Sequence, residues 1–175
     1  VAHRRLTGVL LVGGASTRFG GPKAHARLGG ETLAERAWRV LGEACEERLA
    51  VGKGDEQLGF PVLPDGVAER APAYGVLAGL RAATHDVVVA LPVDCPLVTP
   101  ELLRELGEAG AVPRGVPLPG AYPRSLRGEL ERRIAAGNLS LRGLNPHELD
   151  VDERLLADVD TPEALAALAR GELSR

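Results

Sequence analysis

Four stretches of this chain combine charge with a spacing suited to chemistry on phosphates. The first runs from Gly8 to Ala24, GVLLVGGASTRFGGPKA. Its paired glycines let the backbone approach a ligand and aim N–H groups at it. Arg18 adds a planar fork to that loop and Lys23 a mobile point charge. A neutral turn needs neither cation. The second stretch is LPVDCP, with Asp94 where an apolar run stops. A carboxylate facing a cationic glycine loop reads as a Mg²⁺ ligand beside a bound triphosphate; the alternative is that Asp94 caps a turn before Pro96. The third is LPDG, which places Asp65 at the same kind of position. Taken alone Asp65 is a turn residue. The fourth is ADVDTPEAL, with Asp158 and Asp160 ahead of a helix. Either is a cap or a second magnesium ligand, the cap being slightly favoured for Asp160.

Other chemistries fit less well. The dinucleotide fingerprint needs G-x-G-x-x-G opening a helix directly, with an acid at the end of the second strand. Here the loop is long and the second strand ends in Gly52 and Lys53. GGPKA lacks the Ser or Thr that must follow the P-loop lysine. No Gly-x-Ser-x-Gly elbow supports a serine nucleophile. His3, His25, His85 and His147 show no metal spacing, and Cys45 and Cys95 are too few and too far apart for a zinc or disulfide framework.

Composition sets the frame for these residues. A chain of 175 residues is expected to form one domain, residues 1–175, with a sizeable core. Aromatic residues make up 3%, so that core must be aliphatic. A net charge of −3 offers no basic face for nucleic acid. No apolar stretch is long enough to span a bilayer and no secretory signal pattern opens the chain, so the expected location is cytoplasmic.

The elements that must position the charged residues alternate. Thr7–Val12 is a continuous apolar run, as in a strand buried on both faces. Glu31–Ala44 is helical, with Thr32 and Glu35 spaced as a capping box. Arg48–Val51 and Phe60–Pro64 read as strands, Tyr74–Thr84 as a helix and Asp86–Leu91 as the strongest strand. Thr99 and Pro100 start the next helix. Ala111–Tyr122 is broken by prolines and glycines, and is either edge strands or a loop crossing an active site. Ser125–Gly137 is helical, Ser140–Asp160 irregular, and Thr161 and Pro162 start a final helix. This alternation predicts an α/β fold: three α/β/α layers around a mostly parallel, twisted sheet. Ligands then bind beyond the carboxyl ends of the strands, where the charged stretches fall.

LLVGGASTRFGGPKA, LPDG with YGVLAGL, LPVDCP and DVDTPEAL, in that order, resemble the molybdenum cofactor guanylyltransferases. These belong to the Rossmann-like nucleotidyltransferases. The resemblance implies Mg²⁺-dependent transfer of GMP from GTP to Mo-molybdopterin, releasing pyrophosphate. It implies Arg18, Lys23 and Asp94 as catalytic residues. Nucleotide contacts map to Leu11, Val12 and Gly13, with Gly14 beside them, and to Lys23, Asp65 and Asp94. Asp94 is the implied metal ligand, with Asp160 as the second ligand read from the residues. The pterin is expected over Ala111–Ser125, with contacts from Arg114, Tyr122 and Arg124. Transient contacts with molybdoenzymes or other cofactor-biosynthesis proteins are also implied. The chain departs from the family in three places. It lacks an asparagine near Val51 or Gly52, has Pro22 where many members have an acid, and carries a DVDTP closer to relatives that transfer cytidylyl groups to the same pterin. The alternatives are transfer from CTP to that pterin or from an NTP to a sugar or lactate phosphate, and a non-catalytic nucleotide-binding regulator. The presence of both Asp94 and Lys23 argues against the regulator.

Overall fold

The computed structural model describes residues 3–13, 23–54 and 56–171. In chain order the elements begin with β1 (Leu6–Leu11), a short hairpin of β2 (Arg27–Leu28) and β3 (Glu31–Thr32), and α1 (Leu33–Ala44). They continue with β4 (Glu47–Gly52), β5 (Val62–Pro64), α2 (Pro72–Ala82), β6 (Val87–Pro92) and α3 (Pro100–Ala109). The last are β7 (Val112–Pro113), β8 (Gly120–Pro123), α4 (Arg127–Ala135), β9 (Glu148–Leu149) and α5 (Pro162–Ala169).

Five strands form the central sheet in the order β5-β4-β1-β6-β8. The first four are parallel and β8 runs antiparallel to β6. The expected α/β architecture, a mostly parallel sheet between helical layers, is therefore observed. Strand alternation sends neighbouring side chains to opposite faces. Leu6 and Leu10 of β1, with Val87, Val89 and Leu91 of β6, pack among α1, α3 and α5. Val9, Val51, Val88 and Ala90 pack on the other face, among α2 and α4. Two apolar layers result, so β1 and β6 read as unbroken apolar runs.

Helix ends follow their capping residues. The Thr32 hydroxyl accepts from Glu35 N at 3.1 Å, and the Glu35 carboxylate accepts from Thr32 N at 2.7 Å, which closes the capping box. The Thr99 and Thr161 hydroxyls cap α3 and α5 by accepting from Leu102 N and Ala164 N, each threonine followed by proline at the first helical position. Close helix–sheet approach comes from small residues. A Cβ built on Gly79 of α2 would lie 2.7 Å from Val9 Cγ2, so α2 reaches this depth on β1 only with glycine there.

The Ala111–Tyr122 stretch resolves into edge strands. β7 pairs with β9 in a separate two-stranded sheet, while β8 closes the main sheet against β6. Among the described residues, no helix is long and apolar enough to cross a membrane.

Candidate active site

The strand ends at the carboxyl edge of the sheet are stitched together beyond the ladder. Val12 N donates to Val51 O at 3.0 Å and Val93 N to Leu11 O at 3.1 Å. Asp65 N donates to Gly52 O at 2.9 Å. The segments following β1, β4, β5 and β6 thus share one rim, which carries Gly13, Lys53, Asp65 and Asp94. Leu11 and Val12 belong to the packed strand end; the Val12 side chain is buried in the core. Gly13 is where the chain leaves that packing. A Cβ at Gly13 would stand 3.3 Å from Gly52 Cα, so the two backbones touch across the rim. Gly14 and Arg18 lie outside the described residues, as does Pro22.

Two charge clusters sit on this rim. In the first, Lys23 Nζ lies 3.1 Å from Asp94 Oδ2 and 2.6 Å from Asp160 Oδ1. Burial pulls the Lys23 pKa down, but hydrogen bonds to Asp160 and Asp94 and their charges outweigh it, and the net shift is upward. Lys23 is therefore a cation throughout the neutral range. Asp158 completes the cluster: one oxygen each from Asp94, Asp158 and Asp160 lie within 4.8 Å of one another. The local sequence explains this convergence. Val159 is buried in the α1/α3/α5 core, and its N–H donates to Asp94 O at 2.8 Å. Tethering Val159 there holds the carboxylates on either side of it beside Asp94. The helix cap is Thr161, so the Asp160 carboxylate turns to Lys23, and the cap reading of Asp160 is corrected.

Three carboxylates supply hard oxygen donors, the donor type that Mg²⁺ prefers. The side chains present at the rim therefore fit the expected metal. Cys95, next to Asp94, does not add a nucleophile. Burial, reinforced by the charges of Asp94 and Asp158, pushes its thiol well above the ordinary range.

The second cluster was not read from the sequence. Lys53 Nζ lies 2.7 Å from Asp65 Oδ2 and also donates to Val67 O at 3.0 Å and Glu69 O at 2.5 Å. Asp65 Oδ1 accepts from Val67 N at 3.2 Å, so Asp65 is both a turn residue and half of an ion pair. Arg70, from the same segment, donates to Gly13 O at 3.1 Å. The signal for Lys53 was its place immediately after β4, the same place that singled out Asp94 after β6.

A family model described as MobA-like NTP transferase domain matches residues 8–147. This chain belongs to the MobA-like NTP transferase family. A relative from Cereibacter sphaeroides, named molybdenum cofactor guanylyltransferase, is 35% identical over 93% of this chain and 94% of its own length. The molybdopterin-guanine dinucleotide biosynthesis protein A of Archaeoglobus fulgidus superposes with a TM-score of 0.78 at 24% identity, covering 96% of this chain and 98% of that one. The 2-C-methyl-D-erythritol 4-phosphate cytidylyltransferase of Thermus thermophilus has the same fold, with a TM-score of 0.72 at 22% identity over 93% and 98% of the two chains. Membership makes the protein a nucleotidyltransferase, in agreement with the resemblance read from its motifs.

Three residues named for the pterin fare differently. Arg114 lines a cavity of about 380 Å³ with Val116, Asp150, Val151 and Leu156. Its guanidinium is paired with Asp150 at 2.6 Å. Tyr122 is fully buried and its hydroxyl donates to Pro117 O, so it presents no surface to a ligand. Arg124 follows β8 at the amino end of β6, where Arg124 N donates to Asp86 O, on the opposite rim from Asp94. Tyr122 and Arg124 are thus removed from the expected pterin contacts. The antiparallel course of β8 carries its end away from the site.

Proposed function

We propose that this enzyme transfers GMP from GTP to the terminal phosphate of Mo-molybdopterin and releases pyrophosphate. The observation that carries the reading is the convergence of Lys23, Asp94, Asp158 and Asp160 on the rim where the family's nucleotide loop ends. The name of the Cereibacter sphaeroides relative supports the guanylyl group and the pterin acceptor.

In this reading the acceptor phosphate is the nucleophile, and the α-phosphate–pyrophosphate bond is the one that breaks. No covalent enzyme residue is required, which agrees with the inert Cys95 thiol. The difficulty is the approach of one anion to another. Asp94, Asp158 and Asp160 would hold Mg²⁺, which supplies neutralising charge and orientation at the phosphates. Lys23, already cationic and anchored at Asp94, carries positive charge to the departing pyrophosphate. Gly13 brings main chain close to the nucleotide, and Arg18 is the second loop cation assigned to it. The cavity beside Arg114 is assigned to the acceptor, since its lining includes Ala157, adjacent in sequence to Asp158.

The two aspartates of DVDTP favour one second reading, transfer from CTP to the same pterin. Incubating the enzyme and Mo-molybdopterin with each of four nucleoside triphosphates, and weighing the products, separates the two. A guanine dinucleotide product is expected. A cytosine dinucleotide alone selects the second reading, and no dinucleotide with any triphosphate rejects both.

A further inference from the structure

Lys53 is the second of only two lysines in the chain, and its ammonium is used up inside the protein. An ammonium has three N–H donors. Here they are taken by Asp65 Oδ2, Val67 O and Glu69 O. The side chains of Lys53 and Asp65 are only 11% and 6% exposed. Such a lysine has no donor left for a ligand. What it does is fix the course of the segment from Asp65 to Arg70. Tyr74 adds a second tie, donating from its hydroxyl to Glu69 Oε2 at 2.7 Å.

That segment delivers Arg70 to the nucleotide rim. The Arg70 guanidinium donates to the Gly13 carbonyl at 3.1 Å and is otherwise solvent-facing. Arginine carries five N–H donors in a planar fork suited to phosphate oxygens. One is spent on Gly13. The backbone of Lys53 also borders Gly13, where an added Cβ would lie 3.7 Å from Lys53 N. The start of the glycine loop is thus flanked by the strand end that carries Lys53 and by the cation that Lys53 holds in place.

We propose that Arg70 is a binding residue for the anionic part of the nucleotide, and that Lys53 is the positioning residue that sets it against Gly13. The proposal rests on the nucleotidyltransferase reading above. It adds to the cations assigned to the loop one supplied by the segment after β5, held beside Gly13.

The test is nucleotide binding by calorimetry, with GTP, or with CTP if that is what the wild-type chain prefers. Arg70→Gln is expected to weaken binding at least tenfold with an unchanged melting temperature. Lys53→Met is expected to weaken it by a similar factor, and Lys53→Arg to recover most of the loss. In the double variant the two losses do not multiply, because Lys53 acts through Arg70. Binding of Arg70→Gln within twofold of wild type overturns the proposal, even if Lys53→Met fails to fold. Losses that multiply in the double variant overturn the positioning role. A wild-type chain that binds no nucleoside triphosphate overturns the underlying reading instead.

Discussion

Lys23 and Asp160 meet across 137 positions of sequence, with Nζ 2.6 Å from Oδ1. The contact ties the end of the glycine loop to the start of α5, and Asp94 at the end of β6 shares the same ammonium. Three distant segments are therefore coupled through one charge. Removing that charge in Lys23→Ala should reduce turnover by roughly 10²-fold or more, the scale seen when one preorganised electrostatic donor is deleted. The variant should still fold but melt at a lower temperature, because the Lys23 and Asp94 side chains are only 14% and 24% exposed and loss of the ammonium leaves three neighbouring carboxylates uncompensated. Unaltered turnover would remove Lys23 from the catalytic set.

Neither thiol should take part in the reaction. Burial, with the Glu46 charge, pushes Cys45 up to about 12, and Cys95 is also buried and shifted upward. Iodoacetamide at neutral pH should leave the native enzyme unlabelled and active, and should label both cysteines after denaturation. Fast inactivation with labelling of Cys95 would contradict the direct phosphate attack described above.

Packing predicts opposite effects for two helix glycines. A Cβ at Gly79 would press on the stiff, buried Val9, with Cγ2 at 2.7 Å and Cγ1 at 2.9 Å. Overpacking of that kind costs about 1–3 kcal/mol, more than the ~1 kcal/mol that alanine gains in helix propensity. Gly79→Ala should therefore lower stability. At Gly128 in α4 the nearest atom to an added Cβ is the tip of Arg132, at 3.6 Å. Gly128→Ala should raise stability by about 0.5 kcal/mol, since only backbone entropy changes. Urea unfolding of the two variants measures both signs.

Acid stability should depend on Glu47, at the opposite rim from the site. Burial raises the Glu47 pKa, but hydrogen bonds from the Thr7 hydroxyl and from the Thr84 N–H and hydroxyl, and the His85 charge, outweigh it. The folded pKa is thus below the ordinary 4.5. A depressed folded pKa contributes stability that is complete above the unfolded value and is lost as pH falls through the folded one. Unfolding free energy should drop below about pH 4.5 and be level above it, as far as this group is concerned. Glu47→Gln should lose about 1–3 kcal/mol at pH 7, where a carboxylate accepting several hydrogen bonds is replaced. Its acid slope should be shallower than that of the wild type. Identical slopes would show that Glu47 does not govern acid unfolding.

Much of this fold was legible because local and global signals agree. Asp86–Leu91 reads as a strand since both its faces are buried, and Thr99–Pro100 reads as a helix start since the hydroxyl and the fixed proline φ serve the same helix end. Asp94 was legible because it follows the strongest strand. The stretch from Ala111 to Tyr122 was less so. Its prolines and glycines conceal an antiparallel strand, and only pairing with β6 sets the direction that buries Tyr122 and takes Arg124 to the far rim. Asp158 and Asp160 were both legible as candidate ligands, but choosing ligand over cap depends on the burial of Val159 and its hydrogen bond to Asp94 O, a matter of tertiary packing. Lys53 stood at a strand end, but its three acceptors come from residues 12 to 16 positions later, brought back by β5 and the turn that follows it.

The central claim is that Asp94 and its neighbouring carboxylates support Mg²⁺-dependent guanylyl transfer. Its most direct measurement is pyrophosphate release from GTP in the presence of Mo-molybdopterin, for wild type and Asp94→Asn, with Mg²⁺ and with excess chelator. Release is expected only from the wild type, only with Mg²⁺ and only with the acceptor present. Sustained release in chelator, or by Asp94→Asn at the wild-type rate, would contradict it.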